Sequence, residues 1–264
     1  MRFVVAIPNY NHGKTLVPLI DQLLALGLDD IYVLDDASTD NSLKLLKPFG
    51  DKITIIRGPY NIGPGGNRNR IIPRVRDNDI IMFVDADMKM LSAEVKKPIT
   101  ELFDAQPKVV IFGGGIETKK ALPMTYNYGL HQSQLRHFIG LNLERLAVAV
   151  HFRPLVGLIR PLAKHFTLNV EIRFYEPLER SVDSVSEGHF YVRAKEFKRI
   201  GGFNDSLRYH EGGELAYRLK KAGYDIKFTP TVWTRHLEVH PRSKLRVKEA
   251  RKLDKIIKQS KKTS

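Results

Sequence analysis

Short apolar runs alternate with helical patterns along the first 115 residues, and this alternation restricts the chain to few folds. The runs are rich in β-branched residues and show no alternation of polar and apolar positions, as in strands that are buried on both faces. They span Phe3 to Ile7, Ile31 to Leu34, Ile53 to Ile56, Ile80 to Val84 and Val109 to Phe112. The sequence therefore predicts the α/β class, a three-layer sandwich around a mostly parallel sheet.

Helical patterns fill the intervals between the predicted strands. The first has one apolar face and is followed by Gly27, a residue type that commonly ends helices. That face comprises Leu16, Leu19, Ile20, Leu23 and Leu24. We expect Ser38 or Thr39 to cap a second helix, and residues 61 to 76 to form a third with Pro64 in its first turn.

The second half of the chain is less regular. Residues 123 to 187 show no clear period, whereas residues 190 to 193 are predicted to form a strand and residues 214 to 222 a helix that ends at Gly223. Because no internal repeat or low-complexity linker interrupts the chain, we expect one domain over residues 1 to 240, followed by a basic C-terminal helix over residues 241 to 264.

Composition excludes several classes of protein. The chain has no cysteine, which excludes a disulfide scaffold, a zinc-thiolate site and a cysteine nucleophile. The apolar run before Pro8 is too short for a signal peptide, and the longest apolar-leaning stretch, residues 139 to 163, is interrupted by charged residues. We therefore expect a cytoplasmic protein, which could lie peripherally at the inner face of a membrane.

Positive charge is concentrated at the C-terminus. The chain carries a formal charge of +14, and residues 241 to 264 hold ten Lys or Arg against two Asp or Glu. Ala250, Leu253, Ile256 and Ile257 recur there at helical spacing. This pattern is typical of a basic amphipathic helix on an anionic membrane or beside nucleic acid, and equally of a solvated helix that only improves solubility.

Polar residues directly follow the first, second and fourth predicted strands. They are Pro8 to Asn11, Asp35 to Asp40, and Asp85 with Asp87. Because the carboxyl ends of parallel strands meet at one edge of a sheet, we expect these groups to lie together at a ligand site. Two carboxylates that flank one small residue after a buried strand favour a hard cation, Mn2+ or Mg2+.

A nucleotide hydrolase with a phosphate-binding loop is an alternative. Gly13, Lys14 and Thr15 follow the first strand and open a helix, and Asp85 ends a hydrophobic strand, as in that class of enzyme. The loop requires glycine at position 8, where this chain has Pro8, which lacks an N–H donor and excludes positive φ. The sequence therefore disfavours this alternative.

Five segments, in this order, resemble the family 2 glycosyltransferases of GT-A fold. They are Pro8 to Asn11, Asp35 to Asp40, Asn61 to Asn69, Asp85 to Asp87 and Gly201 to His236. The resemblance spans residues 3 to 236 and implies a nucleotide-binding half over residues 1 to 115 and an acceptor-binding half over residues 116 to 240. Residues 187 to 190 resemble the acceptor-side loop of the family, or else form an ordinary strand entry.

The resemblance also implies roles for individual residues. The implied nucleotide-sugar contacts are Pro8, Tyr10, Asn11, Asp36, Arg68, Asp85 and Ala86, and the implied metal ligands are Asp85, Asp87 and His236. Tyr10 would stack on the nucleotide base, Asp36 would accept from a base N–H, and Arg68 would approach the diphosphate.

At the position where the family usually has its catalytic base, this sequence differs from the family pattern. Gly212 stands where the family usually has Asp, so Glu211 becomes the first candidate. Glu214 fits the first turn of a helix instead, and His210 or Asp183 remain alternatives. A retaining reaction, which needs no such base, also fits, and the stereochemistry stays open.

The implied activity is a metal-dependent hexosyl transfer from a nucleotide-sugar, with a UDP donor favoured, to an acceptor hydroxyl. A lipid-linked glycan, a polysaccharide and a modified base in DNA remain open as acceptors. A protein of a different class also fits: a basic nucleic-acid- or membrane-binding module on a catalytically decayed transferase fold.

Overall fold

The computed structural model describes residues 2–28, 30–117, 123–124, 179–238 and, near the C-terminus, 249, 252–253 and 255–260. The strands are β1 (Phe3–Asn9), β2 (Ile31–Asp35), β3 (Ile53–Arg57), β4 (Ile80–Val84), β5 (Met88–Met90), β6 (Val109–Glu117), β7 (Pro123–Met124), β8 (Arg180–Ser181), β9 (His189–Arg193) and β10 (Asp225–His236). The α-helices are α1 (Gly13–Ala25), α2 (Ser42–Leu46), α3 (Pro64–Asn69), α4 (Lys96–Ala105), α5 (Ala194–Arg199) and α6 (Glu211–Lys221).

The described strands form one sheet in the order β3-β2-β1-β4-β9-β6-β10-β5, with β7 beside β6 and β8 beside β10. The strands β3, β2, β1 and β4 pair in parallel, as do β6 and β10. Strand β9 lies antiparallel between β4 and β6. The parallel half brings the carboxyl ends of β1, β2 and β4 to one edge, where the sequence places its polar segments.

Both faces of the sheet are apolar and both are covered by helices. Phe3, Val5 and Ile7 point to one face, which packs against α1 and α4, whereas Val4 and Ala6 point to the other, which packs against α5 and α6. Successive residues of a strand face opposite sides, so two buried faces produce the continuous apolar runs of the sequence. The predicted three-layer α/β sandwich is confirmed.

Two helix predictions were wrong. Ser38 does not cap α2: its hydroxyl accepts from the side chain of Asn9 and the backbone N–H of Asn11, both at 3.0 Å, while α2 starts at Ser42 with no side-chain cap. The third helix is shorter than expected, from Pro64 to Asn69. It cannot begin earlier because Gly63 has φ of 91°, outside the helical region.

Strand β6 extends beyond its predicted end through three consecutive glycines. A Cβ atom on Gly114 would lie 2.3 Å from the ring of His189, and one on Gly115 would lie 2.3 Å from the ring of Trp233. Gly114 and Gly115 therefore make room for rings of β9 and β10. Helix α6 begins three residues before its predicted start, and Gly27 and Gly223 follow α1 and α6 with φ of 69° and 87°, as expected for helix ends.

The C-terminal segment is helical over residues 252–253 and 255–260. Leu253 and Ile257 pack on Leu207, so these apolar positions face the domain. Ala250 and residues 241–248 lie outside the described residues, as do the apolar-leaning stretch 139–163 and most of the irregular middle of the chain. Among the helices of the described ranges, none has the length and apolar character needed to cross a membrane.

Candidate active site

Side-chain hydrogen bonds join the ends of β1 and β2. Asn9 donates from Nδ2 to Asp35 Oδ1 at 2.9 Å, and the backbone N–H of Thr39 donates to Asn11 Oδ1 at 2.7 Å. Asn11 and Ala37 both have φ of 61°, so the chain turns sharply at each end. The polar segments after these two strands therefore lie together, as the sequence predicts.

Asp36 anchors the loop that leads into α3. Its carboxylate is buried and accepts from the backbone N–H groups of Ile62, at 3.1 Å, and Gly63, at 2.9 Å. Arg70 Nη2 also lies 3.3 Å from Asp36 Oδ1. A carboxylate has about four acceptor positions, so these three contacts leave capacity for one base N–H. Tyr10, at the same edge, is 43% exposed, which leaves its ring accessible for stacking. The nucleotide contacts of both residues stay predictions.

Arg68 lies at the centre of a buried ion network. Nη1 donates to Glu211 Oε1 at 2.9 Å, and Nη2 donates to Asp85 Oδ1 at 2.6 Å and to the carbonyl of Glu187 at 3.3 Å. The guanidinium also lies 5.6 Å from the ring centroid of Phe203. We call Arg68, Asp85, Glu211 and the Glu187 carbonyl the Arg68 network. It connects α3, the end of β4, the start of α6 and the segment before β9.

Burial changes the charge balance of this network. Burial lowers the pKa of Arg68, but Asp85, Glu211 and Glu187 outweigh it and the net pKa is raised. Burial, reinforced by the charge of Glu187, raises the pKa of Glu211 to about 8 despite the nearby Arg68. Burial likewise raises the pKa of Asp85 more than Arg68 lowers it. Glu211 Oε2 and Arg68 Nε find no hydrogen-bond partner among the described residues.

Asp87 and His236 form the second polar cluster. Asp87 Oδ2 lies 3.0 Å from His236 Nε2. Burial raises the pKa of Asp87, but the hydrogen bond and charge of His236, together with His12, outweigh burial, and the net pKa is lowered. For His236, burial lowers the pKa, but the hydrogen bond to Asp87 and the nearby carboxylate charges together outweigh burial, so the net pKa is raised. Two of the predicted metal ligands therefore meet, whereas the third, Asp85, contacts Arg68.

Two further residues with metal-ligating side chains, His12 and Glu238, lie beside Asp87 at this edge. One ligand atom each from His12, Asp87 and Glu238 lies within 4.8 Å of the others, and His12 Nδ1 is 3.5 Å from Glu238 Oε2. Imidazole nitrogen and carboxylate oxygen suit a divalent transition ion such as Mn2+, so the residues present fit a cation. Sequence reasoning missed His12 and Glu238, although His12 directly follows the Pro8 to Asn11 segment and Glu238 lies two residues after His236.

The start of α6 shows what replaces the missing side chain at position 212. The backbone N–H of Gly212 donates to Glu187 Oε1 at 2.9 Å. A Cβ atom on Gly212 would lie 2.4 Å from Glu187 Cγ, so the Glu187 side chain fills the space beside this position. Sequence reasoning did not single out Glu187 as a base.

The other acidic alternatives to Glu211 have partners of their own. Glu214 lies in the first turn of α6, as expected, and accepts from Arg218 at 2.8 Å. Asp183 pairs with Lys220 at 2.6 Å on the surface. The helix-turn position expected for Glu214 is therefore observed, a catalytic-base role for Asp183 has no support in these contacts, and that role for Glu211 stays a prediction.

Comparison with known proteins identifies related sequences. The family model "Glycosyl transferase family 2" matches residues 4–166. The poly(ribitol-phosphate) beta-N-acetylglucosaminyltransferase TarS of Staphylococcus aureus is 28% identical over 94 residues, which are 33% of this chain and 16% of TarS. The O-antigen chain rhamnosyltransferase RfbN of Salmonella typhimurium is 19% identical over 238 residues, which are 89% of this chain and 66% of RfbN.

Solved structures share the fold. GalNAc-T7 with UDP, GalNAc and Mn2+ superposes with a TM-score of 0.64 at 13% identity, over 97% of this chain and 48% of that protein. The S. aureus TarS fragment 1–349 in complex with UDP superposes with a TM-score of 0.56 at 16% identity, over 89% of this chain and 60% of the fragment. The GT-A fold expected from the sequence is confirmed. Since the family model matches more than half of its residues, the chain belongs to glycosyl transferase family 2.

Proposed function

We propose that this chain transfers a hexosyl group from a UDP-type nucleotide-sugar to an acceptor hydroxyl in a reaction that depends on a divalent cation. The convergence of the exposed Tyr10 ring, the Asp87–His236 pair and the Arg68 network at one sheet edge carries this proposal. Family membership supports glycosyl transfer, and the UDP in the GalNAc-T7 and TarS structures supports the donor type. The same membership removes the phosphate-loop hydrolase alternative.

Each cluster has a proposed task. Tyr10 stacks on the base, Asp36 accepts from a base N–H, and Pro8, Asn11 and Ala86 line the donor site. Asp87 and His236, with Asp85 as the remaining predicted ligand, hold Mn2+ or Mg2+, and His12 and Glu238 are further candidates. When bound, the cation supplies positive charge that stabilises the departing nucleoside diphosphate. Arg68 adds a fixed positive charge and orients Asp85, so little reorganisation is needed during the reaction.

The acceptor is proposed only by chemical class. A polysaccharide or lipid-linked glycan is favoured, because the relatives are named for transfer to poly(ribitol-phosphate) and O-antigen chains. A modified base in DNA stays open, and so does peripheral contact with the inner face of a membrane.

Donor binding is the first test. A thermal-shift panel compares UDP-, GDP-, dTDP- and CMP-sugars, each with Mn2+ and with EDTA. We expect a UDP-sugar to raise the melting temperature with Mn2+ and less with EDTA, since a ligand that binds only the native state stabilises it. Asp87→Asn should lose the Mn2+-dependent part of the shift, and the exposed Asp21→Asn should keep it.

The outcomes separate the parts of the proposal. An equal UDP-sugar shift with Mn2+ and with EDTA would contradict the metal dependence alone. No shift with any of the four nucleotide-sugars would contradict the transferase proposal and favour a binding module on a decayed fold.

A further inference from the structure

We infer that Glu187 is the general base of the transfer reaction and supplies, from the segment before β9, the carboxylate that the glycine at position 212 lacks. This inference rests on the proposed function and deepens it, because it names the group that receives the acceptor proton.

The first step of the argument is steric. A side chain at position 212 would begin 2.4 Å from Glu187 Cγ, 2.9 Å from Oε1 and 3.1 Å from Cδ. Real Cβ atoms do not approach other atoms this closely, so a side chain at 212 and the present Glu187 side chain exclude each other. The carboxyl group of Glu187 therefore lies beside the position from which a residue at 212 would project its own.

The second step concerns access. The acceptor hydroxyl must touch the base, because proton transfer requires hydrogen-bond distance. Glu211 is 2% exposed and its Oε1 is bound to Arg68 at 2.9 Å, so it lies beneath the surface of the site. Glu187 is partly exposed, and of its two carboxylate oxygens only Oε1 has a hydrogen bond in the described part of the chain, from the N–H of Gly212.

The third step concerns position. The carbonyl of Glu187 accepts from Arg68 at 3.3 Å, and the carbonyl of the next residue, Gly188, accepts from the N–H of Asp85 at 3.0 Å. The backbone of this segment is thus fixed directly beside the proposed diphosphate end of the donor site.

The chemical step balances with the groups of the proposed reaction. The acceptor hydroxyl oxygen forms a bond to the anomeric carbon of the donor. The bond from that carbon to the β-phosphate oxygen breaks, and its electron pair leaves with the nucleoside diphosphate. The hydroxyl proton passes to the Glu187 carboxylate, and the anomeric configuration is inverted.

Glutamine substitution tests the assignment. The probe is UDP-GlcNAc with Mn2+, with water as the acceptor hydroxyl and single-turnover release of UDP as the readout. Glu187→Gln keeps an oxygen that accepts from the N–H of Gly212 but cannot take a proton, so we expect UDP release to fall about 100-fold or more while UDP-GlcNAc affinity and melting temperature stay unchanged. The exposed Glu101→Gln is the matched control and should match the wild-type rate.

A transplanted carboxylate supplies the second test. Glu187→Ala removes the three atoms that lie nearest to a Cβ at 212, so the double variant Glu187→Ala/Gly212→Asp should regain at least about tenfold in rate over Glu187→Ala alone. Absence of any recovery would count against the exchange of roles between the two positions.

Three outcomes overturn the inference without touching the proposed function, which requires only donor binding and transfer. They are a wild-type rate in Glu187→Gln, loss of UDP-GlcNAc affinity in that variant, and release of the sugar with retained anomeric configuration. Failure of the wild-type protein to bind any nucleotide-sugar, or to turn over a bound one, would instead overturn the proposed function itself.

Discussion

Arg68 determines the electrostatic balance of the candidate site, because two carboxylates and a carbonyl converge on one buried guanidinium. Removing one partner of a buried ion pair leaves an uncompensated charge. We expect Arg68→Met to lower the free energy of unfolding by about 3–5 kcal/mol, measured by urea denaturation. The double variant Arg68→Met/Glu211→Gln should be less destabilised, since it leaves one fewer buried carboxylate.

The exposed Arg199 provides the control for this prediction. Arg199→Met should change the unfolding free energy by about 0.5 kcal/mol or less. Equal effects of Arg68→Met and Arg199→Met would contradict a buried network that stabilises the protein.

His189 makes stability depend on pH. The side chain is fully buried, and burial lowers its pKa to about 4. Between this value and about 6.5 the unfolded chain binds a proton at His189 that the folded protein does not, so stability rises with pH across this window and is lost on acidification. We expect the unfolding free energy to fall from pH 6.5 to pH 4, with a smaller slope in His189→Gln. Identical slopes of unfolding free energy against pH in the wild-type protein and His189→Gln would refute the assignment of this pH dependence to His189.

At the scale of elements, the C-terminal helix stabilises the loop in front of α6. Leu253 packs on Leu207, and Glu249 Oε2 accepts from the backbone N–H of Arg208 at 2.9 Å. Leu253→Ala removes buried methyl groups, so we expect a loss of about 2 kcal/mol in unfolding free energy. The exposed Lys255→Ala should have little effect, and a comparable loss in both variants would contradict docking of the helix.

The elements that the sequence predicts well are those with a local signal. The five runs from Phe3 to Phe112 all form strands because continuous apolar, β-branched segments need burial on both faces. The sequence predicts β6 too short because its glycines are favoured by the side chains of Val185, His189 and Trp233, which come from distant parts of the chain. The predicted cap at Ser38 failed for the same reason, since its hydroxyl bonds to Asn9 and Asn11 of another strand end.

The candidate site follows the same rule. Asp85, Asp87 and Arg68 stand in recognisable local patterns, and the sequence places them at one edge. His12 and Glu238 are single residues without a pattern of their own, and the acceptor-loop resemblance that includes Glu187 gives that residue no catalytic role. Only the folded chain brings them beside Asp87 and Gly212. Their positions depend on the meeting of β1, β4, β10 and α6, which no local spacing encodes.

At the scale of the whole molecule, part of the excess positive charge lies on the exposed side of the C-terminal helix. Lys255 and Lys258 are exposed on the C-terminal helix, whereas Leu253 and Ile257 face the domain. We propose that this helix contacts anionic membranes through charge and not through insertion of its apolar face. Lys255→Gln/Lys258→Gln should weaken binding to phosphatidylglycerol vesicles by about 30-fold at low salt, since each lysine near such a surface contributes about 1 kcal/mol.

Vesicle co-sedimentation measures this binding, with the exposed Lys44→Gln of α2 as the control. Added salt should reduce the difference between the variants, because it screens exposed charges. Unchanged binding in the double variant, or equal losses with Lys44→Gln, would contradict a membrane role for the C-terminal helix.

The mutual exclusion of side chains at positions 187 and 212 also constrains the evolution of this protein. A side chain at 212 needs the volume that the Glu187 side chain now occupies, so an acidic residue at 212 requires a smaller or displaced side chain at 187. Among homologous chains, the two positions should therefore covary: lineages with an acidic residue at 212 should carry a small residue at 187, and lineages with glycine at 212 should keep the glutamate.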